Sequence, residues 1–366
     1  MKQFIAFVKK EFYHILRDKR TILILIGMPI VQIILFGFAI STEVKNVQTA
    51  VLTTSTNTDT RTIIDRINAS EYFTVKYIVH SSEELEALFR QNKIELAIAF
   101  PSDFNRQRFD TAQLQIIADA TDPNLALTRS HYASGILNIA PMTLVNAKVT
   151  HPSILIQNKL LYNPQMRSAY NFVPGVMGLI LMLICAMMTS ISIVREKETG
   201  TMEVLLVSPV NPLFVILSKV VPYFVLSILN LTTILLLSVF VLDVPIAGNL
   251  GSLLGVSLLF IFVSLTLGLL ISCLTQTQVA ALLVSAMVLM IPTIILSGII
   301  FPIESMPPLL QGFSSLIPAR WYVSIVRKLM IEGVPFSYVW KETGILLLMG
   351  IVLTGITIRK FKNRLE

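Results

Sequence analysis

The chain has 366 residues, of which 54% are hydrophobic and only 14% charged, with a formal charge of +7. A soluble protein of this length would be nearer a quarter charged, and the apolar positions fall in long runs, which excludes one large globular core. The bases flank apolar runs: 1–20 holds six Lys/Arg against two acids, 359–366 holds four against one, and 41–170 holds twelve of each. That distribution lacks the basic stripe of a nucleic-acid-binding surface and reads as orientation in a membrane. Two cysteines, Cys185 and Cys273, lie in or at the end of apolar runs, and four histidines are scattered. They form neither a disulfide framework nor a metal-ligand spacing.

Residues 1–20 read as a basic amphipathic helix. Phe4, Val8, Phe12 and Ile15 share one face, while Lys9, Lys10 and Arg17 lie elsewhere. Such a helix lies in the membrane interface or simply extends the first span into the cytoplasm. Residues 21–41 form that span. The run is longer than the 7–15 residues of a signal-peptide core, and no clear cleavage site follows, so an uncleaved helix is expected.

Residues 42–170 differ in composition. VQTAVL, FTVKYIV, ELAIAF and LQIIAD are strand-like, with helical segments at 60–68 and 81–91 between them. Ser81 and Glu84 have capping-box spacing ahead of the Leu85/Leu88/Phe89 stripe. Alternating strands and helices predict an α/β domain. A helix from Pro123 to about Val149 is expected to return toward the membrane.

Five further spans are predicted at 172–194, 217–241, 250–274, 279–300 and 343–358, against the run of about 20 apolar residues that crosses the roughly 30 Å hydrocarbon layer. The fold class is thus an α-helical polytopic membrane protein with about six transmembrane helices and an α/β domain inserted between spans 1 and 2. The basic termini place both ends, including the tail 359–366, in the cytoplasm. The inserted domain is then extracytoplasmic and the loop 195–216 cytoplasmic. The proline-rich stretch 301–342 is predicted to form short amphipathic or re-entrant helices at the outer face. Its bases Arg320, Arg327, Lys328 and Lys341 run against that orientation.

The spans read as nearly free of charge, with Gln32 and Asn230 the main polar residues; such amides bond helices together or line a path. There are no paired intramembrane carboxylates or histidines for a proton relay, and no G-x-x-x-x-G-K-[ST] loop for ATP. Asp119, Asp122 and Asn124 in IIADATDPN suit a turn better than a cation site.

The loop VREKETGTMEVLLVSPVNP is the most informative segment. It reads as a solvated loop or as a short surface helix with Glu196 and Glu203 toward solvent and Leu205/Leu206 toward the bundle. It resembles the R-E-x-E-x-G-T-x-E-x-L-L-x-x-P pattern of the ABC-2 class of ABC transporter permeases, matched at Arg195, Glu196, Glu198, Gly200, Thr201, Glu203, Leu205, Leu206 and Pro209. The start, KKEFYHILRDKRTILILIGMPIVQIILFGFAI, resembles that family's first helix and span. SGIIFPIESMPPLLQGFSSLIPARWYVSIVR resembles its outer re-entrant region, and the soluble domain is similar to that of the drug-exporter-like subgroup.

The resemblance implies a permease that dimerises with a second copy or a related chain around a substrate path. It implies that 195–209 contacts a separate ATP-binding subunit, with ATP and Mg held there and no cofactor, metal or catalytic residue on this chain. A lipophilic substrate would leave the cytoplasm or the inner membrane, with a periplasmic adaptor as an optional partner and no nucleic acid. Phe301, Pro302, Glu304, Pro318 and Arg320 would gate the outer exit or cap the bundle. The competing reading is a membrane-anchored sensor or assembly protein whose α/β domain binds a ligand.

Overall fold

In the computed structural model, residues 2–39, 44, 46–54, 56–101, 114–121, 123–144, 162–163, 167–200 and 212–362 are described. They belong to two compact units, Thr42–Asn158 and the remainder of the chain.

The smaller unit is an α/β fold. Its strands are β1 (Val47–Leu52), β2 (Phe73–Val79), β3 (Leu96–Ala99) and β4 (Gln115–Ala118), in the order β2-β1-β3-β4. β1 runs parallel to β2 and β3, and β4 is antiparallel to β3. The helices are α3 (Thr58–Asn68), α4 (Ser82–Arg90) and α5 (Pro123–Leu144). Strand side chains alternate between faces. Val47, Val51, Leu96 and Ile98 meet Ile63 and Ile67 of α3 and Leu137 of α5. Ala50 and Ala97 meet Leu85 of α4 on the other face. A register shift between Thr49 and Ala50 interrupts β1.

The sequence places these elements within about two residues. Ser81 caps α4 by accepting from the Glu84 N–H at 3.2 Å. The return half of the expected capping box lands one residue early, because the Glu84 carboxylate accepts from the His80 N–H at 3.3 Å. The end of the expected return helix beyond residue 144 lies outside the described residues.

The larger unit is helical: α1 (Lys2–Arg17), α2 (Lys19–Ala39), α6 (Ser168–Glu198), α7 (Pro212–Phe240), α8 (Leu250–Leu274), α9 (Gln278–Leu296), α10 (Pro308–Ser314), α11 (Pro318–Arg327) and α12 (Trp340–Lys362). Five of these are long and apolar enough to cross a membrane: α6, α8, α9, 217–240 of α7 and 340–360 of α12. α2 contributes a shorter apolar stretch, Leu25–Gly37. The protein is therefore a mostly helical, multi-pass membrane protein with a small sheet. α6 and α8 are the most buried and cross closely, since a Cβ added at Gly268 would strike the backbone of Ala186 and the side chain of Thr189. α9 and α12 leave most of their apolar surface exposed within the chain.

Several expected boundaries move. The span expected at 172–194 begins at Ser168 and continues through the charged run to Glu198. Arg, Glu and Lys are good helix formers, and three of these four side chains find partners on other helices. The helix stops at Gly200, whose positive φ of 73° and N–H bond to the Lys197 carbonyl at 3.2 Å make a left-handed cap. The span expected at 279–300 ends at Leu296 and widens into a π segment at Ala286–Met290, just before Pro292, whose ring removes a backbone donor. The last span starts at Trp340 rather than 343 and runs on into the basic tail to Lys362. The stretch 301–342 forms short pieces, as its prolines predict: a 3₁₀ turn at Ile303–Ser305, α10, α11 with a π extension at Lys328–Glu332, and a second 3₁₀ turn at Phe336–Tyr338.

α1 follows its predicted face only in part. Ile15 enters the core of the helical unit, and Lys9, Lys10 and Arg17 are exposed. α1 packs along α7, and this contact also buries Glu11.

Candidate functional site

The charged end of α6 is built into the helical unit rather than displayed on a loop. Residues 195, 196, 197 and 198 point around all sides of a helix that advances about 100° per residue. Glu196, Lys197 and Glu198 thereby reach three different helices. Glu196 Oε1 lies 2.8 Å from Lys219 Nζ on α7. Lys197 Nζ donates to the Ser272 carbonyl at the end of α8. Glu198 Oε2 accepts from the backbone N–H and the side-chain amide of Gln278, at 3.1 and 2.9 Å, and so caps the start of α9. Arg195 remains exposed.

Lys219 is the centre of a second contact. Its Nζ lies 3.3 Å from Glu11 Oε1 on α1. The side chains of Lys219, Glu11 and Glu196 are only 6%, 7% and 15% exposed. The exposed Lys10 stands 3.7 Å from Glu11, so these four side chains balance in formal charge. One turn further along both helices, the Tyr223 hydroxyl bonds Ser192. α6 and α7 are thus joined by two successive polar rungs, Glu196–Lys219 and Ser192–Tyr223.

This arrangement corrects two expectations. Glu196 does not face solvent; it is held by a buried ammonium. The spans are not effectively free of charge, because Lys219 sits inside the stretch expected at 217–241. The signal was present in the sequence: a lone lysine in an apolar span requires a counter-ion. What the sequence did not reveal was which carboxylates supply it. Gly200 caps α6, as described above. Thr201, Glu203, Leu205, Leu206 and Pro209 lie outside the described residues.

The polar residues within the spans act unequally. Ser190 and Ser285 join α6 to α9 at 3.1 Å, and Cys185 and Ser227 join α6 to α7 at 3.0 Å. Asn230 is buried, but neither of its side-chain polar atoms finds a partner among the described residues. Bonding between helices, one of the two roles expected for it, therefore falls at these positions to hydroxyls and a thiol.

The other candidate residues lie together in 301–327. Phe301 is exposed, and the Pro302 carbonyl accepts from the N–H and hydroxyl of Ser305, starting the turn that carries the exposed Glu304. Pro318 opens α11. Arg320 donates to the Gln311 carbonyl at 2.8 Å and lies over the Trp321 ring at 4.9 Å. Behind these, Tyr322 stacks on Phe260 at 4.0 Å and shares a 2.8 Å bond with Ser257, which fastens α11 to α8. Arg327 was noted in the sequence only as an awkward charge. It bonds Asn171 Oδ1 at 2.9 Å and the Gly298 carbonyl at 3.2 Å, and burial pushes its guanidinium pKa down. Lys328 pairs with Glu342 at 2.7 Å.

In the α/β unit, Asp119 Oδ1 accepts from the N–H and hydroxyl of Thr121 at 2.9 and 2.6 Å. Those bonds hold its carboxyl below the usual range and account for it as turn chemistry. Asp122 lies outside the described residues. No cluster of three His, Cys, Asp or Glu occurs among the described residues.

Comparison with known proteins identifies the family. Residues 19–359 match the model of the ABC-2 family transporter protein. The chain is 32% identical over 99% of its length to Probable multidrug ABC transporter permease YbhS of Escherichia coli strain K12, covering 97% of that protein. It is 28% identical to Probable multidrug ABC transporter permease YbhR of the same strain, over 98% of this chain and 97% of that one. Inner membrane transport permease YhhJ, also of that strain, is 27% identical over 77% of each chain. With a match that takes in the charged end of α6, Lys219 and the whole 301–327 segment, this chain belongs to the ABC-2 family of ABC transporter proteins.

Proposed function

We propose that this chain is the permease subunit of an ATP-driven exporter. The observation that carries the proposal is the end of α6. One short charged run binds α7, α8 and α9 at once and then leads directly into the loop 201–211. A displacement applied to that loop therefore has a stiff, multi-helix point of entry. The sequence has no phosphate-binding loop, so ATP and Mg belong on a separate ATP-binding subunit, which is the partner of Arg195, Glu198, Gly200, Thr201, Glu203, Leu205, Leu206 and Pro209. Glu196 serves the same contact from behind, through Lys219.

Six spans are the count we favour, with Leu25–Gly37 as the core of the first and the five apolar helices as the rest. Both termini and the 195–216 loop then lie in the cytoplasm and the α/β domain outside. The bases of 301–342 count less against this orientation than their number suggests, because Arg320, Arg327 and Lys328 each have a partner within the helical unit. In this arrangement 301–342 caps or gates the outer exit, with Phe301, Pro302, Glu304, Pro318 and Arg320 at its rim. The exposed apolar faces of α9 and α12 suit lipid and a second permease subunit. A lipophilic substrate fits the apolar spans and the multidrug designation of the relatives. The sensor alternative is not favoured, because the family match and the relatives are named as transporters and transport permeases.

ATP-dependent uptake of the lipophilic dye ethidium into inverted membrane vesicles carrying the chain and its ATPase tests the function. Glu203→Lys is expected to abolish uptake with membrane insertion intact, and undiminished uptake would remove the loop from the mechanism. A single cysteine at Arg61 on α3, with Cys273 replaced by serine, tests orientation. It should react with an impermeant thiol reagent in intact cells; labelling only after lysis would invert the topology.

A further inference from the structure

Lys219 has a place in the fold that packing alone does not require. It is a buried cation on α7, between a carboxylate from the N-terminal helix and one from the end of α6. Through it, α1 is connected to the same charged run that holds α8 and α9. The apolar contacts of α1 are modest beside this: Ile15 is buried, while Phe4, Val8 and Phe12 are only half-buried. Apolar surfaces slide past one another at little cost, since their attraction is non-directional. Three buried charges do not, because moving any one away leaves the others uncompensated in a poorly solvated place.

We propose that Lys219 is a positioning residue for energy coupling: it makes α1 a moving part of the coupling apparatus rather than a passive interfacial anchor. Displacement of the loop beyond Gly200 is transmitted through Glu196 and Lys219 to Glu11. The end of α6, the start of α7 and α1 then move as one body when the ATP-binding subunit closes. Ser192–Tyr223 keeps the same two helices in register one turn deeper. This inference rests on the permease reading above.

The test uses the complete permease–ATPase complex in proteoliposomes, with permease-dependent stimulation of ATP hydrolysis as the readout. Lys219→Met alone takes the buried cation from between Glu11 and Glu196, leaving the exposed Lys10 as the cation beside Glu11, and is open to misfolding. The decisive variant therefore combines Lys219→Met with Glu11→Gln and Glu196→Gln, which removes all three charges and keeps the side-chain volumes. It should fold and copurify with the ATPase yet lose stimulation by about tenfold, within the range usual for energetic coupling between sites. Lys219→Arg, which keeps the charge, should retain most of it. Spin labels at Tyr13→Cys on α1 and Thr199→Cys after α6, with Cys273→Ser, should keep one distance in nucleotide-free and ATP-trapped complexes, and lose that constancy in the neutral triple variant. A triple variant that is stimulated as strongly as wild type, with the same constant distance, overturns the inference and leaves the permease reading standing. A wild-type chain that recovers no ATPase overturns both.

Discussion

The two units of this protein use hydrogen bonds for opposite purposes. In the α/β unit the backbone makes the long-range connections, through the ladders of β1 with β2 and β3, while most of its side-chain bonds stay local, as in the caps at Asn57 and Ser81. In the helical unit every ladder closes on its own helix, so the backbone has little left to offer a neighbour. There the side chains make the long-range connections: Glu196 and Glu11 to Lys219, Glu198 to Gln278, Ser190 to Ser285, Ser257 to Tyr322. Substitution of one polar side chain should therefore loosen a whole helix contact in the helical unit and only one turn in the other.

The largest effect is expected at Lys219. Lys219→Met removes the buried cation shared by Glu11 and Glu196, leaving only the exposed Lys10 beside Glu11, and should cost about 3 kcal/mol, seen as a lower thermal midpoint of the detergent-solubilised protein. The neutral triple variant should recover most of that loss. If the single variant is as stable as wild type, the ion cluster is not the joint described here. Gly268→Leu comes next. It forces a side chain into the backbone of Ala186 at the α6–α8 crossing and should cost about 1–3 kcal/mol, by the same thermal assay. Ser81→Ala removes a cap worth about 1 kcal/mol. Its effect should appear as faster amide exchange confined to the first turn of α4, and faster exchange throughout the sheet would break the contrast between the units. Ser285→Ala should be smallest, about 0.6 kcal/mol, because the bond it removes from α6–α9 joins two neutral hydroxyls.

The same contrast decides what was legible in the sequence. Local chemistry reads directly: Ser81 and Glu84 are three positions apart, and the cap between them is present. Alternation gave the strands, and apolar run length gave the spans. The charged run 195–198 stands out in the sequence, but as a solvated loop or a short surface helix rather than as the partnered end of a span. Its partners are remote, with Lys197 and Ser272 separated by 75 positions and Glu198 and Gln278 by 80, and no period or spacing encodes such pairings. Glu11 lies on an amphipathic helix and Lys219 near the start of an apolar run, and neither position marks it as the other's partner. Only folding shows that one neutralises the other. Arg320, Arg327 and Lys328 were legible as charges and illegible as partnered ones, because the groups that receive them are carbonyls, an amide and a carboxylate supplied by other segments, and the buried Nε of Arg327 still has no partner among the described residues.

The central claim is that this chain conducts a substrate with energy supplied by another subunit. ATP hydrolysis by the affinity-tagged protein, purified from its own membranes in mild detergent, measures it most directly. Hydrolysis should accompany a copurifying P-loop ATPase and disappear when that subunit is stripped away. Hydrolysis by the stripped chain, or a homogeneous chain that recovers no ATPase from native membranes, would contradict it.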